Sequence, residues 1–244
     1  MGLSSVEHPL LARYAEVRSE VSAKYGPDSQ AVVFLLYEEL LSLRAVLVKN
    51  RSDADVARRV RELGEEIQRR YDIGGMVDRG RHHRLIHDRP VLIEYDRAVF
   101  DRLYGNLRET CAIRPVHVTS AAVAFGHLQA GPTHIYVVDD AYRLLVWPEP
   151  FTLAEMVFGR TPDRRVDGMR VVHPMLVPER LRVRAAGELS VLGGPEDCMV
   201  IANMKSGHFR PPPPCADVLR DVLRGVLPLT DEDIDIFTVP QPRP

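Results

Sequence analysis

A run near the start of the chain constrains the fold more than any other feature. Residues 29–48 read SQAVVFLLYEELLSLRAVLV, so a helix formed here carries apolar side chains on nearly every side. A surface helix has one apolar stripe, whereas a helix that is apolar around most of its circumference is buried on most sides. The chain must therefore supply covering elements from several directions.

The neighbouring sequence predicts two helices that provide part of this cover. Residues 3–25 and 53–71 both carry apolar side chains at the three- and four-residue spacing of an amphipathic helix. A Gly-Pro-Asp break at 26–28 precedes the buried run, and a Gly-Gly pair at 74–75 follows the third helix. Residues 3–73 are therefore predicted to form a three-helix unit whose central member is covered by the other two and by a later sheet.

The rest of the chain alternates short strand patterns with short helix patterns. The predicted strands are 91–95, 115–120, 133–139, 142–147, 171–177, 181–189, 199–201 and 234–239, and the predicted helices are 96–108, 120–129, 151–159 and 215–226. This order predicts an α+β fold, with a helical N-terminal unit packed on a mixed, mainly antiparallel sheet. We divide it into a helical unit, residues 1–75, and an α+β catalytic or binding domain, residues 76–244, and expect one integrated structure.

Charge, hydropathy and cysteine content indicate which classes of partner and which cellular location to expect. The formal net charge is −2, so no overall positive field predicts a nucleic-acid partner. No apolar run approaches the roughly 18 residues of a membrane span, so we expect no membrane partner. Three cysteines without a Cys-x-x-Cys pair, and an N-terminus without a signal-peptide pattern, predict a reducing, cytoplasmic location. A homo-oligomer is compatible with all of this.

The candidate catalytic residues lie in the stretch 170–214. His173, Glu188 and His208 occur on or beside β-rich segments that glycines interrupt. Two imidazoles and a carboxylate can bind a metal, but no pair has the short spacing of a metal motif, so we assign no metal and no firm cofactor. In a substrate cleft, Glu188 would act as a base or electrostatic stabiliser and His208 as a hydrogen-bond donor. The alternative is structural: a tight strand entry at Glu188 and a turn capped by His208.

The candidate ligand-binding residues follow directly. Ser206 and Gly207 predict a turn whose N–H groups can bind an anion. Phe209 offers a stacking face, and Arg210 a bidentate fork for phosphate or carboxylate. Together they suit a nucleotide or another flat anionic molecule. The alternative is a structural corner, with Phe209 in the core and Arg210 paired to an acid.

This stretch resembles a segment shared by plant IQ-motif calmodulin-binding proteins and by domains of bacterial secreted effectors and toxins. The matching residues are His173, 183–188 (Val-Arg-Ala-Ala-Gly-Glu), Asn203 and 206–211 (Ser-Gly-His-Phe-Arg-Pro). The segment departs from the pattern at Pro174 and Met175, where small hydroxyl residues are expected, and at Phe209, where tyrosine is more common. The resemblance indicates a segment that these proteins share. It does not imply a particular activity, because the group as a whole has no single established one.

A second, weaker resemblance involves Thr119 and Ser120. In ADP-ribosyltransferases of the Arg/Ser-Thr-Ser/Glu class, a strand ending in Ser-Thr-Ser leads into a helix and then a further strand. The order around Thr119 and Ser120 is similar, and Arg89 or Arg114 would take the place of the first-strand arginine. This resemblance implies NAD as a substrate, although the closing Glu-x-Glu or Gln-x-Glu is missing. An ordinary strand–helix–strand with Ser120 as the N-cap is the alternative.

These features predict an enzyme that acts on a nucleotide-like or otherwise anionic small molecule. The second resemblance extends this to NAD consumption, by ADP-ribosyl transfer or glycohydrolysis, with Glu188 stabilising an oxocarbenium-like centre. The alternative is a non-catalytic module that binds a ligand or a partner. The sequence lacks a phosphate-binding P-loop, a Gly-x-Gly-x-x-Gly run and a Gly-x-Ser-x-Gly elbow, which argues against a Rossmann enzyme, a kinase and an α/β-hydrolase.

Overall fold

The structure is a computed structural model that describes residues 8–74, 84–88, 91–158 and 165–239. Its helices are α1 (Pro9–Tyr25), α2 (Gln30–Lys49), α3 (Ala54–Gly74), α4 (Arg97–Tyr104), α5 (Arg108–Ala112), α6 (Ala121–His127), α7 (Leu153–Phe158) and α8 (Cys215–Val226). Its strands are β1 (Arg84–Asp88), β2 (Val91–Tyr95), β3 (Val116–Val118), β4 (Thr133–Asp139), β5 (Leu144–Val146), β6 (Arg165–Val166), β7 (Met169–Arg170), β8 (Arg182–Gly193), β9 (Cys198–Asn203) and β10 (Ile234–Phe237). Arg89, one candidate for the first-strand arginine, lies outside the described residues.

Eight of these strands form one sheet in which β8 is the central member. The order is β1-β2-β8-β4-β5-β3, and β9 and then β10 extend from β8. β10 runs parallel to β9, and the other pairings are antiparallel. The predicted α+β fold with a mixed, mainly antiparallel sheet is therefore confirmed.

One edge of β8 is shared by two different strands. β2 pairs with it at Arg182 and Val183, and β9 pairs with it from Glu188 to Gly193. Within the described part of the chain, residues 184–187 have no strand partner on this edge. The sheet therefore splits just before Glu188, and the chain that follows β9 turns away at the split.

Two of the N-terminal helices, α2 and α3, cover one face of the sheet. α2 contacts α1, α3, α7 and the strands β8 and β9, so the predicted burial of this helix is confirmed. Leu36, Leu40 and Leu43 are fully buried and share an apolar cluster with Met199 and Ile201 of β9. The alternate β9 residues belong to a second cluster, with α8 on the opposite face.

A buried ion pair also joins the helical unit to the sheet. The Arg44 Nε and Nη2 atoms donate to the two carboxylate oxygens of Asp235, each at 2.8 Å. Arg44 Nη1 donates to the carbonyl oxygen of Glu232 at 2.7 Å. A charged group that is buried loses its hydrogen bonds to water, so it is destabilising unless protein groups replace them. The bidentate pair with Asp235 provides this replacement for Arg44. The ion pair fixes where α2 crosses β10.

The strand predicted at 171–177 is wrong. Residues His173–Leu176 form a 3-10 turn, and Val171 and Val172 are not in a strand. Pro174 has no backbone N–H to donate to a ladder, which disfavours a central strand at this position. His173 consequently approaches the sheet from a turn packed on β4 and does not lie within the sheet.

Candidate functional site

Glu188 is oriented by a side-chain amide on the neighbouring strand. Glu188 of β8 lies opposite Asn203 of β9, and both side chains point towards α2. Asn203 Nδ2 donates to Glu188 Oε2 at 2.9 Å. Asn203 Oδ1 accepts the backbone N–H of Glu188 at 3.2 Å and that of Lys205 at 2.9 Å. Because the amide is held at both ends, the carboxylate it binds has a fixed direction.

Burial changes the acid–base behaviour of this carboxylate. Desolvation raises the pKa of Glu188 above its ordinary 4.5, and the positive charge of Lys205, the Asn203 hydrogen bond and the charge of Arg170 act in the opposite direction. Lys205 Nζ donates to the carbonyl oxygen of Met156 at 3.1 Å, which places the ammonium group between α7 and the end of β9. The carboxyl group therefore keeps its proton to higher pH than an exposed glutamate.

Two tyrosines from the helical unit are close enough to Glu188 for its charge to act on them. The hydroxyl oxygens of Tyr37 on α2 and Tyr71 on α3 are 2.6 Å apart. Burial raises the pKa of both phenols, and the negative charge of Glu188 raises it further. Both hydroxyls therefore stay protonated at neutral pH and remain hydrogen-bond donors.

Tyr37, Tyr71 and Lys205 border a pocket bounded by α2, α3 and α7. The pocket has a volume of about 160 Å³ and is lined by Gln30, Val33, Tyr37, Ile67, Arg70, Tyr71, Met156, Val157 and Lys205. A smaller space of about 10 Å³, which holds roughly one water molecule, lies beside Glu188 and Asn203 and shares Tyr37 and Met156 with the larger pocket. Glu188 thus borders the smaller space, and the larger pocket that adjoins it carries two cationic side chains, Arg70 and Lys205.

The two predicted catalytic histidines lie near Glu188 but contact other groups. His173 Nε2 donates to the carbonyl oxygen of Gly187 at 2.9 Å. The ring of His208 packs edge-on against Tyr95, with 5.6 Å between the centroids, and its Nε2 is 3.5 Å from the hydroxyl of Tyr104. Burial lowers the pKa of each imidazole to about 4, so both are neutral at pH 7.

Arg170 is the group that relates the three predicted catalytic residues. Beside the larger effect of burial, its charge helps to lower the pKa of His173 and His208 and opposes the rise in the pKa of Glu188, so all three are close enough to interact with it. Arg170 itself is exposed at the end of β7. The structure thus brings these residues to one region, with the Glu188 carboxylate directed to Asn203 and the imidazoles directed elsewhere.

The Ser206–Pro211 corner is closed by its own hydrogen bonds. Ser206 Oγ accepts the N–H of Phe209 at 3.3 Å, and the Ser206 carbonyl accepts the N–H of Arg210 at 2.8 Å. Phe209 is fully buried, and Arg210 is 6% exposed with a φ of 45°. Arg84 of β1 donates to the carbonyl oxygens of Phe209 and Arg210. Gly207 at the tip is exposed, and the ligand-binding role of these residues stays a prediction.

Thr119 and Ser120 lie away from Glu188. They follow β3, which β5 and β4 separate from β8 in the sheet. Thr119 is exposed, and Ser120 Oγ accepts the N–H of Val123 at 3.3 Å as the N-cap of α6. Arg114 also lies near this end, where it pairs with Glu149 and stacks on Trp147.

Several residues of the pocket were not predicted from the sequence. Tyr37 lies inside the apolar run that predicted α2, and Arg70 and Tyr71 lie near the end of an amphipathic helix. The one available signal was a tyrosine within a helix predicted to be buried, since a buried phenol usually needs a partner. Asn203 appeared only as a member of the resembling segment.

Among the described residues, no group of three or more His, Cys, Asp and Glu side chains is arranged to hold a metal ion. In the same residues, no helix combines the length and apolarity that crossing a membrane requires. Comparisons with protein-family models, with curated proteins and with solved structures found no match.

Proposed function

We propose that the chain is an enzyme that acts on a small anionic molecule, with Glu188 as the residue that transfers the proton. The observation that carries this proposal is the position of Glu188: a carboxyl group with a raised pKa, held by Asn203, in a small space that adjoins a pocket with cationic side chains. Shifted carboxyl groups in clefts are characteristic of acid–base sites.

The surroundings of Glu188 suit proton transfer in both directions. A catalytic group works best when its pKa lies near the working pH, and burial moves Glu188 that way. After Glu188 donates its proton, the Lys205 charge and the Asn203 amide stabilise the carboxylate that remains. One of the hydroxyls of Tyr37 and Tyr71 donates to the other, which leaves one hydroxyl proton as a further donor for charge that develops on the substrate.

NAD enters the proposal as one candidate substrate. An ionised Glu188 would stabilise the oxocarbenium-like centre formed when the nicotinamide–ribose bond breaks. The pocket volume of about 160 Å³ is below the ~300–1,000 Å³ usual for ligand sites, so only one end of a dinucleotide would enter it. Smaller phosphates and carboxylates fit the pocket as a whole.

The test compares Glu188→Gln with Glu94→Gln, a control on β2 in the same sheet whose carboxylate pairs with Arg182 at the surface. Purified protein would be incubated with NAD, nucleotides, phosphate esters and carboxylates, and products detected by chromatography. We expect Glu188→Gln to keep its fold and lower turnover by about 10²–10⁴-fold, while Glu94→Gln behaves as the wild type.

Turnover by Glu188→Gln at the wild-type rate would refute the proposal. A protein that binds one of these compounds without ever converting it would instead be the non-catalytic binding module, and the role of Glu188 as an acid–base residue would be wrong. Thermal melts of all three proteins establish that any loss of rate comes from folded enzyme.

A further inference from the structure

We propose that the pocket bounded by α2, α3 and α7 recognises a small molecule with one anionic group, a carboxylate or a phosphate, on a short apolar body, and that Arg70 and Lys205 bind the anionic end. The inference rests on the proposed function for its catalytic meaning, and it adds the ligand class and the residues that recognise it. Neither cation was singled out by the sequence.

The guanidinium of Arg70 is held by two acidic side chains at its outer nitrogens, but its inner nitrogen has no hydrogen-bond partner. Its Nη2 lies 3.2 Å from Glu66 Oε1, and its Nη1 lies 3.6 Å from Asp28 Oδ1. Its Nε is buried and has no hydrogen-bond partner. A buried donor without a partner destabilises the folded state, and such groups in native proteins call for an explanation. The Nε is too buried for a ligand oxygen to reach, so an anion in the adjoining pocket would interact with the positive charge of the guanidinium as a whole.

The two acids beside Arg70 do not cancel its attraction for an anion. The Asp28 side chain is 95% exposed, so water screens its interaction across 3.6 Å. Glu66 is one (i, i+4) partner on the same helix and accepts from the outer nitrogen, Nη2. These contacts hold the plane of the guanidinium in place, which lowers the entropy lost when Arg70 binds a ligand.

Lys205 supplies the second positive charge. An ammonium group has three donors, and one of them is used by the carbonyl oxygen of Met156. Lys205 also has the largest opposing effect on the pKa of Glu188, so its charge interacts with that carboxyl group in the adjoining space. An anion held between Arg70 and Lys205 would therefore lie close to the carboxyl group that carries the proposed chemistry.

The remaining walls define the body of the ligand. Val33, Ile67, Met156 and Val157 contribute apolar surface, and Tyr37 and Tyr71 contribute ring faces beside their hydroxyls. Gln30 adds an amide that can donate or accept a hydrogen bond. A pocket of about 160 Å³ with this lining fits a branched aliphatic or single-ring acid, and it excludes burial of a whole dinucleotide.

The experiment measures binding by calorimetry on the full-length protein. The probes are benzoate, phenyl phosphate and inorganic phosphate, with neutral benzamide as the uncharged match for benzoate. We expect benzoate or phenyl phosphate to bind and benzamide not to bind, and the stronger of the two identifies the anionic group. Arg70→Gln and Lys205→Gln should each weaken binding at least about tenfold, which corresponds to about 1.4 kcal/mol.

The matched control is Arg69→Gln. Arg69 is the next residue on α3, but it lines the groove beside β10. We expect its affinity for the probes to equal that of the wild type. If no probe binds, if benzamide binds as well as benzoate, or if Arg69→Gln and Arg70→Gln weaken binding equally, the inference is overturned. Should Arg70→Gln fail to fold, Lys205→Gln decides in the same way.

The outcomes separate this inference from the proposed function. If the anions bind through Arg70 and Lys205 but Glu188→Gln leaves turnover unchanged, the pocket is confirmed and the role of Glu188 is wrong. If Glu188→Gln abolishes turnover while Arg70→Gln and Lys205→Gln leave KM unchanged, the acid–base residue stands and the recognition site is wrong.

Discussion

Asn203 binds the side chain and the main chain of Glu188 at the same time. Its Nδ2 donates to the carboxylate at 2.9 Å, and its Oδ1 accepts the backbone N–H at 3.2 Å. The pairing occurs at the last residue of β9, directly beside the split between β9 and β2. A carboxylate at the end of a ladder, which is free to move in most sheets, is here fixed relative to the strand that carries it.

Replacing this amide with an acid tests the arrangement. Asn203→Asp removes the donor to Glu188 and places a second carboxylate beside it. Either one of the two carboxyl groups then holds a proton, or the two negative charges repel each other. We expect a loss of about 1–3 kcal/mol of unfolding free energy at pH 8, and a smaller loss at pH 5. Urea unfolding measures both. Asn106→Asp adds the same charge at an exposed site, and a loss there of equal size would contradict the explanation.

The raised pKa of Glu188 predicts how stability depends on pH. The folded protein binds this proton more tightly than the unfolded chain, whose carboxyl pKa is about 4.5. The stabilising contribution is therefore fully present below pH 4.5 and is lost as pH rises through the folded-state pKa. Between pH 4.5 and pH 8, we expect the unfolding free energy of the wild type to fall relative to that of Glu188→Gln. Parallel curves would show that the carboxyl pKa is not raised.

His173 predicts the opposite trend in acid. Burial lowers its pKa from 6.5 to about 4, so the folded state binds this proton less tightly than the unfolded chain. Its contribution is present above pH 6.5 and is lost as pH falls towards 4, by an amount on the order of 3 kcal/mol. His173→Gln keeps a donor for the Gly187 carbonyl and should make this part of the stability curve shallower, while the contribution of His208 remains. The exposed His117→Gln should leave the curve unchanged.

Gly187 allows β8 to approach the end of β9. A Cβ atom at this position would lie 1.9 Å from the carbonyl oxygen of Asn203 and 3.1 Å from the Cα of Met204. Both neighbours are backbone atoms, so neither can rotate away. We expect Gly187→Ala to lower the unfolding free energy by at least about 2 kcal/mol, as overpacking does. Gly194→Ala is the control, because nothing lies within 4 Å of its Cβ position, and equal losses would contradict the explanation.

The helical unit is predicted to be required for folding of the rest. Removing residues 1–74 would expose the sheet face that packs on α2 and would leave Asp235 without Arg44. We expect the 75–244 fragment to be insoluble or to lack a cooperative melt, since a large uncovered apolar face promotes aggregation. The full-length protein is the reference in calorimetry and circular dichroism. A soluble fragment with a sharp melt would show that the two parts fold independently.

The sequence by itself determined the secondary structure class and the burial of α2. The apolar run 29–48 could be interpreted without knowledge of its neighbours, because a helix without a polar face has few stable environments. The strand at 133–139 and the helix at 215–226 were likewise predictable from local periodicity. The wrong strand prediction at 171–177 also has a local cause. The prediction followed the β-rich composition of this segment, but Pro174 lacks the N–H that a strand would donate to its neighbour, and the segment forms a 3-10 turn.

The pocket was decided only by the tertiary structure. Glu188 could be selected from the sequence because a carboxylate in an apolar strand is costly without a partner. The pocket residues Tyr37, Arg70, Tyr71 and Lys205 are separated from one another by up to 168 positions. They become neighbours only when α2 packs on β8 and β9 and α3 packs on α2 and β10. Local patterns report which face of an element is buried, but they carry no information on which distant element covers it. That choice depends on how the two apolar faces fit together, and it determines what surrounds the carboxylate.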